Sequence, residues 1–342
     1  MERELIARIK RLAGSARKDS SVLAGIGDDC AVLVPGPDRR LIVTTDTLVE
    51  SIHFDLEYFD PWHLGRKTAA VNLSDSAAVG GLPRWALLNM AVPRRLTDVF
   101  WNSFFEGLLS RLSPYGVSLV GGDTVSAPDR LSLSLTLIGE IKEGRWLSRD
   151  SAKPDDLIYC SGNLGESAAG LELLKRYKAT RNTFRSRKAV HRISKAVFKR
   201  LVRRHLDPEP RVRLGQALLA SGMVQTAIDI SDGVATDLAH ICKDSRVGAE
   251  VRAMEIPVSR SLKRASRFLG VSPLEFALTG GEDFELLWTV SKKYRSEVQR
   301  IASKILGHIP FQIGRIVRGD GVILKTSHGA WDIAYHGYEH YI

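Results

Sequence analysis

The chain has 342 residues, of which 44% are hydrophobic, and its formal net charge is +10. This length exceeds what one hydrophobic core usually holds, so two domains are expected. No apolar run reaches membrane-spanning length, and no membrane association is expected. The three cysteines, Cys30, Cys160 and Cys242, form no Cys-x-x-Cys pair, and their odd number argues against a disulfide framework. A reducing cytoplasm is therefore the expected compartment.

The predicted elements of residues 1–145 alternate between helix and strand. Residues 1–20 mix charged and apolar side chains without the uninterrupted apolar core of a signal peptide, which favours an amphipathic helix. The patterns that follow predict strands at 41–44, 85–92, 117–120 and 131–141, and helices at 63–79 and 96–112. Such an alternation is typical of a mixed α/β domain.

A polar, charged stretch at residues 142–156 separates the two predicted domains, 1–145 and 146–342. The second domain is also expected to be mixed α/β. Its patterns predict strands at 157–160, 225–230, 284–290 and 311–317, and helices at 166–177, 190–201, 234–242 and 294–306.

The positive charge is concentrated in one segment. Residues 175–205 hold thirteen Lys or Arg and no Asp or Glu, and without them 36 basic residues face 39 acidic ones, a net charge of −3. Nucleic-acid binding by the protein as a whole is therefore not expected. The segment itself is either a solvated cationic helix face or a docking element for an anionic partner such as RNA or a membrane surface.

Aspartates recur in turns built from small residues. Carboxylates repel one another and cost several kcal/mol each when desolvated alone, so a fold that gathers them must supply counter-charge. Oxygen ligands without matching Cys or His favour hard cations, Mg²⁺ before Ca²⁺. The turns are Gly25-Ile26-Gly27-Asp28-Asp29, Thr44-Thr45-Asp46, Leu73-Ser74-Asp75, Gly121-Gly122-Asp123, Asp229-Ile230-Ser231-Asp232 and Gly280-Gly281-Glu282-Asp283.

Each of these motifs also has an ordinary explanation. The alternatives are an Asx turn at Asp29, an exposed helix acid at Asp75, a hairpin at Gly122, a helix cap at Asp232, a solvated turn acid at Glu282, a structural histidine at His53 and a packed tail at Tyr338. We find no ordinary cause that covers all of them together. There is also no Walker loop and no protein-kinase motif set. The convergence therefore predicts a magnesium–nucleotide enzyme whose phosphates are held by metal ions and backbone N–H groups.

Seven motifs follow one another along the chain: Gly-Ile-Gly-Asp-Asp-Cys-Ala (25–31), Thr-Thr-Asp-Thr-Leu-Val-Glu (44–50), His-Phe (53–54), Ala-Val-Asn-Leu-Ser-Asp (70–75), Gly-Gly-Asp-Thr (121–124), Asp-Ile-Ser-Asp-Gly (229–233) and Gly-Gly-Glu-Asp-Phe-Glu-Leu (280–286). This set resembles the thiamine-monophosphate kinase family over nearly the whole chain. The resemblance implies an aminoimidazole ribonucleotide synthetase-like fold of two α/β domains and a homodimer joined through N-terminal-domain strands. It also implies ATP-dependent phosphorylation of thiamine monophosphate to thiamine diphosphate.

The resemblance also implies roles for individual residues. The ligands of several Mg²⁺ ions would be Asp29, Thr44, Thr45, Asp46, Asp75, Asp123, Asp229 and Asp232, of which Asp46, Asp75 and Asp123 would be catalytic. ATP, the co-substrate, would contact Gly122, Asp123, Arg149 and Ser231. Thiamine monophosphate would contact His53, Glu282 and Tyr338.

One departure from the family pattern is Ser51, which stands where a glycine is common. The alternative function is that of another ATP-using relative acting on a different phosphorylated acceptor. In the main hypothesis the γ-phosphoryl group passes directly to the acceptor phosphate, without a phosphoenzyme.

Overall fold

The computed structural model describes residues 22–24, 31–36, 38–142, 144–181 and 193–339. The predicted helix at 1–20, together with Asp28, Asp29 and Cys30, lies outside these residues. So do residues 182–192 of the basic segment.

The described residues form thirteen strands and nine α-helices. The strands are β1 (Val22–Ala24), β2 (Ala31–Gly36), β3 (Arg39–Val49), β4 (Leu82–Pro93), β5 (Ser118–Ala127), β6 (Ser132–Lys142), β7 (Leu157–Cys160), β8 (Val224–Asp229), β9 (Gly248–Arg252), β10 (Leu286–Val290), β11 (Phe311–Val317), β12 (Val322–Thr326) and β13 (Gly329–Asp332). The helices are α1 (Pro61–Ala78), α2 (Asp98–Leu112), α3 (Glu166–Arg181), α4 (Lys195–Leu206), α5 (Val212–Ser221), α6 (Val234–Ser245), α7 (Arg260–Leu269), α8 (Pro273–Thr279) and α9 (Arg295–Leu306). None of these helices is long and apolar enough to cross a membrane.

The first sheet has six strands in the order β1-β2-β3-β6-β4-β5, antiparallel except between β4 and β5. The alternation of β6 explains its two faces. Leu133, Leu135 and Leu137 are buried and belong to the same core as apolar side chains of α1 and α2, whereas the serines and threonines between them are less buried. One face of the sheet thus carries the core, as a half-buried strand pattern predicts.

The second sheet has seven strands in the order β13-β12-β9-β11-β7-β10-β8. Its central strands β7 and β10 are buried at every position, because helices cover both faces. Side chains of α6 pack in one core, and those of α5 and α9 pack around Tyr159 and Trp288 in another. The predicted fold class, mixed α/β in both halves, is confirmed. The domain boundary at 145/146 stays a prediction and falls between β6 and β7.

Helix α1 joins the two halves and is buried over most of its length. Its close packing needs glycine on the facing helices. A Cβ at Gly107 of α2 would lie 2.0 Å from the Trp62 carbonyl oxygen, and one at Gly215 of α5 would lie 2.0 Å from the Ala77 carbonyl oxygen. The backbones therefore approach directly, and α1 presents different faces to the two halves of the chain.

Two aspartates that were expected in turns at strand ends lie within strands. The strand predicted at 41–44 extends from Arg39 to Val49, so Asp46 is inside it. The strand predicted at 117–120 continues to Ala127 through Gly122 and Asp123. Pairing with neighbouring strands extends β3 and β5 beyond their predicted ends. In β5 the extension requires glycine at position 122, since its φ is 146° and a Cβ there would lie 1.9 Å from the Leu88 carbonyl oxygen.

Candidate active site

Asp229 is at the centre of a group of charged side chains from both halves of the chain. It ends β8, is only 2% exposed, and accepts a 2.6 Å hydrogen bond from the Ser74 hydroxyl of α1. Burial, together with the negative charges of Asp46 and Asp232, raises the pKa of Asp229 to about 6, while the Ser74 hydrogen bond and Arg149 act to lower it. The structure therefore brings these charged groups close together, with Arg149 as counter-charge.

Strand β3 and helix α1 supply the other side of this group. Ile42 and Leu48 are buried, and Thr44 and Asp46 share their face of β3 because side chains alternate along a strand. The Thr44 hydroxyl donates a 2.5 Å hydrogen bond to Asp75 Oδ2, and the Asp46 backbone N–H donates to Asn72 Oδ1 at 3.2 Å. Three residues that the sequence predicted as metal ligands, namely Thr44, Asp46 and Asp75, therefore lie close together in the fold.

Thr45 and Asp123 lie elsewhere on the same sheet. The Thr45 hydroxyl is on the opposite face from Asp46, 3.0 Å from the Thr136 hydroxyl. Asp123 is exposed and accepts a 2.8 Å hydrogen bond from the Thr124 N–H. Its strand, β5, is three strands away from β3, which corresponds to about 14 Å. A single metal ion cannot be shared over that distance.

The turn after β8 gathers the remaining predicted contacts. Gly233 and the start of α6 follow Asp232. Ser231 accepts a 2.7 Å backbone hydrogen bond from Glu282, and Asp232 accepts one of 2.9 Å from Tyr338. A predicted ATP contact and two predicted substrate contacts are therefore neighbours, held by main-chain bonds.

Glu282 is not a solvated turn acid. Lys67 Nζ lies 2.8 Å from its Oε1, and His205 Nδ1 lies 3.2 Å from its Oε2. Burial works to raise the pKa of Glu282, but Lys67 and then His205 hold it well below its usual range. The pKa of His205 is itself lowered, first by burial and then by Lys67. The imidazole is therefore neutral at pH 7, and its Nδ1 lies beside both the carboxylate and the Ser167 hydroxyl, which is 3.3 Å away.

A hydrogen bond of the His53 ring fits the alternative of a structural histidine. Its Nδ1 accepts a 3.0 Å hydrogen bond from the Val49 N–H, which closes the turn after β3. Its predicted contact with the acceptor stays a prediction.

Comparisons with known proteins identify the family. The family model "AIR synthase related protein, N-terminal domain" matches residues 27–141, and the corresponding C-terminal domain model matches residues 153–326. Thiamine-monophosphate kinase of Bacillus subtilis (strain 168) is 37% identical over 94% of both chains, and that of Escherichia coli (strain K12) is 38% identical over 99% of this chain and 98% of its own. The chain belongs to the thiamine-monophosphate kinase family.

Solved structures agree with this membership. A structure described as "AaThiL complexed with AMPPCP and TMP" is 31% identical and superposes with a TM-score of 0.80 over 97% of this chain and 96% of its own. The thiamine monophosphate kinase from Aquifex aeolicus gives a TM-score of 0.77 at 30% identity, over 94% of this chain and 96% of its own. A HypE–HypF complex, at 20% identity and a TM-score of 0.70, shares the fold.

For a member of the thiamine-monophosphate kinase family, the donor chemistry of the Asp229 group fits a hard cation. The group offers carboxylate and hydroxyl oxygens, and a buried carboxylate whose pKa is raised gains from a nearby positive charge. Among the residues that the structure describes, no three His, Cys, Asp or Glu side chains form a ready metal cage. Magnesium is ordinarily held by one or two carboxylates together with waters and substrate phosphates, so both observations are compatible with it.

The sequence patterns did not identify three residues that contact the predicted site residues Asp229 and Glu282: Ser74, Lys67 and His205. Ser74 stands inside the Asn-Leu-Ser-Asp motif, but nothing in its spacing shows that it binds Asp229. A signal for Lys67 was present, since helical spacing puts it on the same face as the apolar Leu64 and Val71, where a buried charge requires a partner.

Proposed function

We propose that this protein phosphorylates thiamine monophosphate to thiamine diphosphate, with ATP as phosphoryl donor. Membership of the thiamine-monophosphate kinase family supports the reaction. The observation that carries it to this chain is the convergence of Asp46, Asp229 and Asp232 with Arg149 at the junction of the two halves. A solved relative, AaThiL, is described in complex with AMPPCP and TMP, which supports a phosphate donor and acceptor bound in one fold.

Magnesium is proposed as the cation that joins the phosphates to these carboxylates. Its ligands are proposed to be Asp29, Thr44, Thr45, Asp46, Asp75, Asp123, Asp229 and Asp232. When bound, it neutralises charge on donor and acceptor phosphates. Thr44, Asp46, Asp75, Asp229 and Asp232 have the support of a common location, whereas any contribution of Thr45 has to come from its main chain or after a rearrangement. Asp123 is exposed and, by its register with Asn89 and Ser134, lies on the sheet face opposite Asp46, so we propose that it binds a separate ion.

The protein's own contribution is to position two polyanions and to shield their charge. Arg149 supplies fixed positive charge beside Asp229. Gly122 and Ser231 are proposed to contact ATP, and His53, Glu282 and Tyr338 the thiamine phosphate. The acceptor phosphate is already ionised near neutral pH, so no strong general base is needed, and direct in-line transfer without a phosphoenzyme follows.

A homodimer and a cytoplasmic location are proposed as well. The outer face of the six-stranded sheet exposes apolar side chains, namely Leu82, Val120 and Val125, which are 42%, 56% and 52% exposed. Strand β5 is also an edge strand and is exposed along nearly all of its length. Unpaired edges and exposed apolar groups favour association with a second copy through these strands.

The decisive experiment measures ADP release by the purified protein with ATP, Mg²⁺ and a panel of phosphorylated acceptors. We expect thiamine monophosphate to give by far the highest kcat/KM and thiamine diphosphate to accumulate in equal amount to ADP. Turnover of another phosphorylated acceptor in preference to thiamine monophosphate would refute the proposal. A phosphorylated protein trapped during turnover would refute direct transfer alone.

A further inference from the structure

The ion pair between Lys67 and Glu282 crosses the junction between the two halves in a buried place. The Lys67 side chain is 0% exposed, and its ammonium group lies 2.8 Å from Glu282 Oε1 and 5.3 Å from the centre of the Phe59 ring. A buried ammonium group is costly unless it is paired well. Its only acidic partner among the described residues is the carboxylate of a residue for which the proposed function assigns a substrate contact.

His205 completes the arrangement from a third element. It lies near the end of α4, is 1% exposed and stands edge-on to Phe59, with ring centres 5.7 Å apart. Both oxygens of Glu282 are therefore contacted by nitrogen atoms of the protein, one from α1 and one from α4. A carboxylate held at both oxygens has a defined orientation.

The backbone at Glu282 needs such support. Its φ is 64°, and that of Phe284 is 50°, a left-handed conformation that non-glycine residues rarely adopt. Strained backbone of this kind persists where surrounding contacts over-determine it. Here the Glu282 N–H donates to the Ser231 carbonyl at 2.7 Å, and a Cβ at Gly281 would lie 2.4 Å from the same oxygen. The Glu282 main chain is thus held by the Ser231 carbonyl, and the Glu282 carboxylate is held by Lys67 and His205.

We propose that Lys67 is a positioning residue for the acceptor: buried and out of reach of substrate, it holds the Glu282 carboxylate in the orientation that receives thiamine monophosphate. This inference rests on the proposed function. It also changes the role of Glu282. Because Lys67 already balances its charge, Glu282 acts on the acceptor as an oriented hydrogen-bond acceptor and shape element rather than as an unpaired counter-charge to the thiazolium.

A purely structural role makes a different prediction. If Lys67 only tied α1 to the second half, any comparable ion pair from the same helix would have the same effect on kinetics. Arg66 provides that comparison, because its Nε lies 2.7 Å from Asp207 Oδ1 in the second half, and its side chain is 15% exposed. The two cations are adjacent in sequence, and only Lys67 contacts Glu282.

The test is a double-mutant cycle with Lys67→Met, Glu282→Gln and the double variant, with Arg66→Met as the matched control. We expect K67M and E282Q each to raise the KM for thiamine monophosphate about tenfold, with kcat and the KM for ATP changed less than twofold. The KM of the double variant for thiamine monophosphate should be no higher than that of E282Q alone, because both substitutions remove the same oriented carboxylate. Lys67→Arg should recover part of the loss, and R66M should leave all three parameters within twofold.

Independent effects that multiply in the double variant would overturn the inference, as would an equal KM increase in R66M. If K67M fails to fold, the same cycle is measured with K67R, and multiplicative effects there count against it equally. If the wild-type protein releases no ADP with thiamine monophosphate, the proposed function fails first. The melting temperatures then decide the positioning claim: shifts that add in the double variant would overturn it.

Discussion

The buried carboxylate of Glu285 gives the sharpest test of the electrostatics behind this site. It follows the Glu282 loop directly, is 1% exposed, and accepts hydrogen bonds from Arg204 Nη2 at 2.7 Å, Arg211 Nη2 at 2.6 Å and the Ser161 hydroxyl at 2.5 Å. Burial alone would raise its pKa, but Arg211 and Arg204 lower the pKa of Glu285 to about 2. Replacing Glu285 by Gln removes that charge and keeps the shape.

The expected magnitude follows from the pKa. A carboxylate with a pKa of about 2 in the folded state and 4.5 in the unfolded state adds about 3 kcal/mol of stability at pH 7. The variant also leaves two arginines without their anion, so we expect a total loss of about 3–5 kcal/mol. Since the folded pKa is the lower one, this stabilisation is present above pH 4.5 and is lost as the pH falls towards 2. Between pH 7 and pH 3 the difference between wild type and variant should narrow by about 2 kcal/mol.

Urea denaturation of wild type and E285Q at several pH values measures this difference directly. Taking the difference cancels the contributions of other titrating groups to first order. Glu250→Gln is a suitable control, because Glu250 also pairs with two cations, Arg315 and Lys325, but on the surface. It should cost less than about 1 kcal/mol. A loss below 1 kcal/mol for E285Q at pH 7, or a difference that does not change with pH, would refute the reasoning.

Further predictions concern the site and the assembly. Asp75→Asn should reduce turnover by orders of magnitude at saturating Mg²⁺ with little change in melting temperature; a wild-type rate would remove Asp75 from the site. Ser74→Ala deprives the buried Asp229 of its hydroxyl donor, and urea denaturation should show a loss of about 1–3 kcal/mol. Val125→Asp places charge on the exposed sheet face and should give a monomer by light scattering, against a dimer for wild type.

Much of the fold could be predicted because its strands and helices show their period locally. The Leu/Ser alternation of β6 and the apolar pattern of β11 predicted bounds close to the observed ones. The length of β3 could not be predicted, because it depends on an eleven-residue register with β6, far away in the sequence. For that reason Asp46 was expected in a turn and lies within a strand.

The sequence predicted which acidic residues form the site, but not which other side chains contact them. Acidic motifs identified Asp46, Asp75 and Asp229, since clustered carboxylates need a common cause. Their counter-charges and hydrogen-bond donors come from residues that are remote in the chain and carry no motif of their own. Lys67 and His205 are examples, because only the tertiary structure shows that both point at Glu282.

Helix α1 explains why the site requires both halves of the chain. Asn72 and Asp75 are three residues apart and share a face, which meets β3. Lys67 and Ser74 are seven residues, or two turns, apart and share another face, which meets Glu282 and Asp229 of the second half. One helix therefore sets the distance between the proposed metal ligands and the proposed acceptor contact. A substitution that rotated or shifted α1 would displace both at once, whereas a change at Lys67 alone should affect the acceptor only.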